Sequence, residues 1–157
     1  MERDFCLKYP IEDVRYCNWM DEIQRTESVA VHVRRGDYLN PLLGWINLGV
    51  NYYREAIKFV KKHVDGPIEL LFFSDDEDYV RSNLIPEIGG SFVDARMGAV
   101  ADLMLMKSCK HHVIANSSFS WWAGWLNNNP RKVVVAPSKW NVSEKYGAKC
   151  PSEWHLI

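Results

Sequence analysis

Two adjacent arginines, Arg34 and Arg35, follow directly on the apolar run Ser28–Val33, within the segment His32-Val-Arg-Arg-Gly-Asp37. Like charges repel at this spacing, so a fold gains little from pairing guanidinium groups unless an anion approaches them. A guanidinium fork donates bidentate, charge-assisted hydrogen bonds to phosphate, each worth roughly 1.5–3 kcal/mol. The pair therefore predicts a diphosphate site. An internal salt bridge to Asp37 is the alternative, and we expect one arginine to form it while Arg35 meets the ligand.

The segment Asn116-Ser-Ser-Phe-Ser120 is a second candidate anion site. Its hydroxyl groups and free backbone N–H groups would lie at the N-terminus of a predicted helix, where anions bind. Capping of that helix is the simpler interpretation for Asn116 alone, but it explains the three serines less well.

The acidic run Asp75-Asp-Glu-Asp78 has two interpretations that its spacing leaves open. Its D-x-D pattern places paired carboxylates where they could hold Mg²⁺ or Mn²⁺ on a nucleotide diphosphate. The same residues would serve equally well as the acidic start of a helix, where the helix dipole favours negative charge.

Trp121, Trp122 and Trp125 recur at helical spacing. A stripe of this kind is typical of a helix that packs against a sheet. We favour that interpretation over a platform for stacking sugars.

These candidates need a scaffold, and the chain supplies five short apolar runs separated by helical patterns. Most of the runs are continuous rather than alternating, as in strands buried on both faces of a parallel sheet. The predicted strands are Ser28–Val33, Ile68–Phe73, Ser91–Val93, His111–Ala115 and Lys132–Ala136. The predicted helices are Tyr52–Val64, Glu77–Leu84, Met97–Ser108 and Ser117–Asn127, the last with Asn116 as its N-cap. This alternation predicts an α/β fold, a Rossmann-like parallel sheet of about five strands with helices on both faces.

In such a sheet, ligands bind beyond the carboxyl ends of the strands. The polar residues singled out by type nearly all follow a predicted strand, so the fold would gather them at one rim. They are His32, Arg34, Arg35 and Asp37 after the first strand, Ser74 and Asp75 after the second, Asp94 after the third, and Asn116, Ser117, Ser118 and Phe119 after the fourth.

The composition is that of a globular protein of 157 residues, with a formal net charge of −1. This charge argues against a nucleic-acid binder, which normally carries a basic surplus. The four cysteines have no metal-binding spacing, so we expect free thiols in a reducing compartment. No signal peptide or membrane span is apparent, which makes the cytoplasm the expected location, with a peripheral position at the inner membrane face left open.

With these residues in view, the chain resembles the glycosyltransferase family that includes the α-1,2-fucosyltransferases. Residues 32–37 match its HxRRxD motif, and residues 73–76 match its FSDD segment. Residues 102–111 and 114–126 are similar to its D-L-x-L-M…C-x-H and I-x-N-S-S-F-S-W-W blocks, and residues 135–140 to its closing strand and PxxW. The motifs follow in the family's order from about residue 28 to 140.

The resemblance implies one half of a GT-B architecture. It also implies transfer of L-fucose from GDP-β-L-fucose to the 2-hydroxyl of a galactose-containing oligosaccharide or glycolipid, with inversion and no obligatory metal. Arg35 would hold the β-phosphate and stabilise the departing GDP, while His32 and Asp102 would contact the guanosine. Asp37 is the second catalytic candidate, as a general base, although an arginine partner is the favoured role. The other donor-binding residues would be Arg34, Ser74, Asp75, Asn116, Ser117, Ser118 and Phe119.

Only 31 residues precede His32, whereas the family carries a substantial half ahead of its HxRRxD motif. We therefore expect a linker with a helical remnant over residues 1–27 and a GDP-sugar donor-binding domain over residues 28–157. Two alternatives stay open. One is a nucleotide-binding remnant that transfers nothing, and the other is a metal-dependent transferase that uses Asp76-x-Asp78.

Overall fold

A parallel sheet forms the centre of the fold, in a computed structural model that describes residues 7, 9–94, 97–143 and 150–157. Its strands are β1 Ser28–Val33, β2 Glu69–Ser74, β3 Ser91–Phe92, β4 His111–Val113, β5 Val134–Ala136 and β6 His155–Leu156. They lie in the order β3-β2-β1-β4-β5-β6, and every pair is parallel. All six residues of β1 are buried, because a central strand of a parallel sheet has helices on both of its faces.

Helical segments connect the strands. They are α1 Val14–Arg25, α2 Val50–His63, α3 Glu77–Tyr79, α4 Ile85–Ile88, α5 Ala99–Ser108 and α6 Ser118–Leu126. A π-helical turn, Val80–Leu84, joins α3 to α4. Two 3₁₀ turns, Gly36–Leu39 and Pro41–Leu43, follow β1 and carry the chain over its carboxyl end.

Two hydrophobic layers enclose the sheet, because successive side chains of a strand point to opposite faces. Val31 and Val33 of β1 pack with Tyr53 and Ile57 of α2 on one face. On the other face, Ala30 of β1 belongs to the cluster that includes residues of α1, α5 and α6. The predicted α/β sheet with helices on both faces is confirmed.

The strand and helix boundaries differ from the predicted ones in identifiable ways. The five predicted strands shift by at most two residues at either end. Strand β6 was not predicted, because its two residues have exposed side chains and follow no apolar run. The helix predicted over Glu77–Leu84 continues through the π-helical turn to Ile88.

The segment predicted as a linker and helical remnant contains α1. Asp13 caps this helix, since its carboxylate accepts a hydrogen bond from the backbone N–H of Arg15 at 2.8 Å. Ile23 is buried in the same hydrophobic cluster as Leu105 and Met106 of α5. Residues 1–6 and 8 of this segment lie outside the described residues.

The tryptophan stripe of α6 is only partly in the core. Trp121 packs against the cluster that contains Val134 and Trp154, but Trp122 and Trp125 are 40% and 42% exposed. The prediction of core packing is therefore wrong for these two residues. The helix instead turns its small residues inward, and a side chain on Gly124 would meet the indole of Trp154 at 3.3 Å.

Among the described residues, Cys17, Cys109 and Cys150 are not joined in a disulfide bond, while Cys6 lies outside those residues. In the part of the chain that the structure describes, no helix combines the length and the apolar character needed to cross a membrane.

Candidate functional site

The strand order reverses between β1 and β4, so the connections that leave these two strands diverge. In open α/β sheets this divergence leaves a crevice at the carboxyl ends of the strands, where ligands bind. Here the crevice is a cavity of about 490 Å³. Among the residues predicted from the sequence, His32, Arg34, Asp37, Ser74 and Asp75 line it from the β1 and β2 side. Asp102, Ser117, Ser118 and Phe119 line it from α5 and α6.

Arg34 reaches into the cavity between two carboxylates. Its guanidinium group donates to Asp37 Oδ1 at 2.7 Å and lies 3.0 Å from Asp75 Oδ2. The side chain is nevertheless 36% exposed. The carboxylates therefore hold the guanidinium group in position while part of it still faces the cavity.

Arg35 points the other way. Its Nε donates to Asp76 Oδ2 at 3.0 Å, and the guanidinium group lies 3.5 Å from the ring centre of Tyr79. Its side chain is 16% exposed, and Arg35 is absent from the described residues that line the cavity. The cause is the alternation at the end of β1, which puts His32 and Arg34 on one side and Arg35 on the side of Val33. The structure thus places Arg34, not Arg35, at the cavity.

Asp75 connects the two arginines. Its Oδ1 accepts a hydrogen bond from the backbone N–H of Arg35 at 2.9 Å, and its Oδ2 faces Arg34. Gly36 permits this approach, since a Cβ at that position would lie 2.6 Å from Asp75 Oδ2. Asp76 also caps α3 by accepting from the backbone N–H of Tyr79 at 3.0 Å.

These contacts bear on the two interpretations of the acidic run. Asp75 and Asp76 face guanidinium groups and backbone amides, whose positive charge opposes a divalent cation at the same carboxylates. The described residues contain no cluster of three or more metal-ligating side chains. The observed contacts are those of an acidic segment that orients arginines and starts a helix.

His32 contributes a buried, neutral imidazole to the cavity wall. The side chain is 6% exposed, and its Nδ1 finds no hydrogen-bond partner among the described residues. Burial lowers the pKa of His32 to about 3, with a smaller contribution from the nearby charge of Arg34. Because an uncompensated buried ring nitrogen costs free energy, this atom is suited to a hydrogen bond with a bound ligand.

Asp102 lies in the first turn of α5 and lines both this cavity and a smaller one next to it. Desolvation by burial raises the pKa of its carboxyl group to about 6. Its Oδ1 has no hydrogen-bond partner among the described residues. Asp102 therefore brings a second unsatisfied polar group to the wall of this cavity. Asp94, predicted at the third strand end, lines the smaller cavity.

The N-terminus of α6 enters the cavity from the β4 side. Ser117 is the N-cap and accepts a hydrogen bond from the backbone N–H of Phe119 at 3.3 Å. Ser118 is exposed and lines the cavity. The side chain of Phe119 lies beside His32, with ring centres 5.8 Å apart. This end of the helix presents backbone N–H groups and hydroxyl groups to the space that Arg34 faces.

Asn116 does not cap α6, so that prediction is wrong. Its side chain is buried, and Nδ2 donates to the backbone carbonyls of Ile46 and Trp140, both at 2.8 Å. Asn116 does not line the cavity among the described residues. It ties the loop after β1 to the loop after β5 instead.

Tyr38 and Trp45 also line the cavity, although their residue types and spacing did not mark them as site residues. Their rings stack, with centres 5.1 Å apart and planes 9° apart. The sequence feature that could have identified them is the presence of two aromatic residues in the loop that follows β1 and the arginines. Sequence alone does not say whether such aromatics face a ligand or the core.

The chain is similar to known glycosyltransferases. The model of glycosyl transferase family 11 matches residues 2–157. An α-1,2-colitosyltransferase of Escherichia coli is 33% identical over 150 residues, which cover 87% of this chain and 50% of that protein. The O-antigen biosynthesis glycosyltransferase WbnK of Escherichia coli is 34% identical, covering 83% of this chain and 45% of the relative.

A more distant relative is the galactoside α-(1,2)-fucosyltransferase 1 of Aotus azarae, which is 32% identical over 62% of this chain and 28% of its own length. Among solved structures, the fucosyltransferase NodZ from Bradyrhizobium matches with a TM-score of 0.47 and 18% identity, over 70% of this chain and 41% of that one. The chain spans about half the length of the first two relatives. Because the family model covers nearly the whole sequence, the chain belongs to glycosyl transferase family 11.

Proposed function

We propose that the chain forms the GDP-sugar site of an inverting transferase that moves L-fucose from GDP-β-L-fucose to the 2-hydroxyl of a galactose-containing acceptor. The observation that carries this proposal is Arg34, held by two carboxylates at a cavity that also receives the N-terminus of α6. A guanidinium group and a helix N-terminus together favour a diphosphate. The names of the related proteins, which are a colitosyltransferase and a fucosyltransferase, support a sugar nucleotide as the molecule that contains this diphosphate.

The chemistry follows from where charge develops. The acceptor hydroxyl attacks the anomeric carbon and releases its proton to solvent while the bond to the β-phosphate oxygen breaks, so that negative charge grows on the departing diphosphate. A cation fixed in advance beside that oxygen stabilises the transition state more than the ground state. Arg34 is already oriented by Asp37 and Asp75, so little reorganisation is needed. Arg35, which the resemblance assigned to this role, would support it through Asp75 and Asp76.

The guanine base would lie near His32 Nδ1 and Asp102 Oδ1, two unsatisfied polar atoms of residues that line the cavity. An ionised carboxylate matches the adjacent N–H donors of guanine, and a neutral imidazole supplies a further donor or acceptor. For Asp37, the 2.7 Å contact with Arg34 favours the role of partner over that of general base.

Two alternatives to this proposal follow from the related proteins. The first relative's name mentions colitose, so GDP-colitose is a second candidate donor. Because the chain spans about half of the relatives' length, a site that binds GDP without transfer is the other.

The test is calorimetric titration of the purified chain with GDP-fucose, GDP-colitose, GDP-mannose and UDP-galactose, each with and without EDTA. We expect GDP-sugar binding that persists in EDTA and exceeds UDP-galactose binding. Equal affinity for UDP-galactose would contradict guanine recognition, and loss of binding in EDTA would restore the metal-dependent alternative. A preference for GDP-colitose over GDP-fucose would replace fucose as the donor sugar.

Affinity for GDP-fucose is expected to fall as the pH drops below about 6, where Asp102 becomes protonated. The affinity falls toward low pH because the ionised carboxylate is the form that accepts hydrogen bonds from guanine, and the raised pKa places this change near pH 6. The loss should approach tenfold per pH unit. His32, with a pKa of about 3, stays neutral throughout this range.

GDP-fucose is the appropriate probe because its diphosphate is esterified at both ends and does not take up a proton between pH 5 and 8, whereas free GDP does. Titrations at pH 5.0, 5.5, 6.0, 7.0 and 8.0 measure the profile. Asp102→Asn is the matched control, expected to bind more weakly at pH 7 and to show a flat profile. The same slope in this variant would assign the titration to another group.

A further inference from the structure

Trp45 lies at the cavity with one face of its indole covered and the rest partly free. Tyr38 stacks on it, with ring centres 5.1 Å apart and planes 9° apart. Trp45 remains 36% exposed and lines the cavity. An exposed indole at the edge of a ligand cavity can receive a flat apolar surface.

The loop around Trp45 is held in place from several directions. Trp45 forms an antiparallel bridge with Asn141, and the backbone N–H of Ile46 donates to Trp140 O at 3.1 Å. Gly44 adopts a φ of +67°, which lets the chain turn into this bridge. The hydroxyl group of Tyr38 donates to Asn116 O at 2.8 Å. A platform fixed in this way loses little conformational entropy when a ligand stacks on it.

The surface beyond Trp45 is apolar and exposed. Its members are the large hydrophobic residues of the two 3₁₀ turns and one residue of the facing loop, namely Leu39, Leu42, Leu43 and Val142. Val142 is joined to this loop, because its backbone N–H donates to Gly44 O at 3.0 Å. Residues 38–53 contain no charged side chain. This end of the cavity is therefore unsuited to the diphosphate and suited to the C–H surface of a sugar ring.

The donor and the acceptor would occupy different parts of the cavity. The charged part of a GDP-sugar belongs near Arg34 and the N-terminus of α6, whereas an acceptor oligosaccharide must enter from solvent with its remaining sugars left outside. Trp45 is the aromatic side chain that joins the cavity to the exposed apolar surface. The axial 4-hydroxyl group of galactose leaves a run of C–H groups on one face of the ring, and such a face packs well on an indole.

We propose that Trp45, stacked on Tyr38, is the platform on which the acceptor's galactose ring lies, and that it determines specificity for galactosides. This inference rests on the proposed function of the site. Trp45 touches the acceptor and leaves the guanine nucleotide to the other residues of the cavity.

The test follows the indole N–H signals of the ¹⁵N-labelled chain while lactose or methyl β-D-galactoside is added, with and without saturating GDP. Trp45→Phe identifies the Trp45 signal. We expect that signal to shift saturably with galactoside, and to shift less with methyl β-D-glucoside. Trp45→Ala should weaken galactoside binding about tenfold or more and leave GDP affinity unchanged, because one stacked aromatic contact is lost. Trp45→Phe keeps an aromatic face and should retain most of the affinity.

Trp122→Ala is the matched control, since Trp122 is 40% exposed and does not line the cavity. It should change neither affinity. The inference is overturned if galactosides fail to shift the Trp45 signal, if Trp45→Ala binds galactoside as the unaltered chain does, or if Trp45→Ala loses GDP affinity instead. Failure of the unaltered chain to bind GDP would count against the proposed donor site alone, because the titration without GDP still measures galactoside binding at Trp45.

Discussion

Replacing Arg34 by alanine is expected to weaken GDP-fucose binding by about 100-fold or more. Arg34 supplies the guanidinium group that faces the cavity, and two charge-assisted hydrogen bonds to a diphosphate would be lost. The substitution also leaves Asp37 and Asp75 without their cation, so two negative charges would face the phosphates. Calorimetry with GDP-fucose at pH 7.5 measures the loss.

The comparison with Arg35→Ala distinguishes the two arginines. Arg35 is held by Asp76 and Tyr79 outside the cavity, so we expect a smaller loss of affinity, about tenfold, accompanied by a loss of stability. Arg54→Ala removes another arginine that is paired across two elements, with Glu87, and should leave binding unchanged. If Arg35→Ala abolishes binding while Arg34→Ala retains it, the assignment derived from the family resemblance is correct and the one derived from the structure is wrong.

Asn116→Ala is expected to lower the free energy of unfolding by about 2–4 kcal/mol. The change removes two hydrogen bonds that the side chain donates to backbone carbonyls. The carbonyl of Ile46 loses this buried donor, whereas the carbonyl of Trp140 still accepts a hydrogen bond from the backbone N–H of Ile46. Urea unfolding followed by circular dichroism measures the effect, with a Tm lower by roughly 5–10 °C as a second readout.

Asn83→Ala is the control for this substitution. Asn83 is exposed and donates one hydrogen bond to Tyr79 O at 3.1 Å, so its loss should cost less than about 0.5 kcal/mol. Asn116→Asp keeps the shape of the side chain but cannot donate and buries a charge, and it should destabilise at least as much as Asn116→Ala. An Asn116→Asp variant as stable as the original would contradict the proposed role of the two hydrogen bonds.

Residue types and their order along the chain were enough to predict the class of fold and the edge of the sheet at which the site lies. Continuous apolar runs such as Ser28–Val33 indicate strands buried on both faces, and parallel strands bring their carboxyl ends to one rim. The motif residues therefore had to meet there, and most of them line one cavity. The strand β6 was not predicted, because a strand of two residues shows no periodicity. The exposure of Trp122 and Trp125 was not predicted either, because helical spacing does not show which surface a stripe of side chains packs against.

Where two neighbouring residues could serve the same role, the contacts between distant segments determine which of them does so. Arg34 and Arg35 are alike in sequence, and only their places at the end of β1 send one to the cavity and the other to Asp76 and Tyr79. Asn116 and Ser117 could each cap α6. The side-chain amide of Asn116 donates to two loop carbonyls instead, and Ser117 is the N-cap. Residue type and spacing fix what a side chain can do, whereas its direction depends on contacts between segments far apart in the chain.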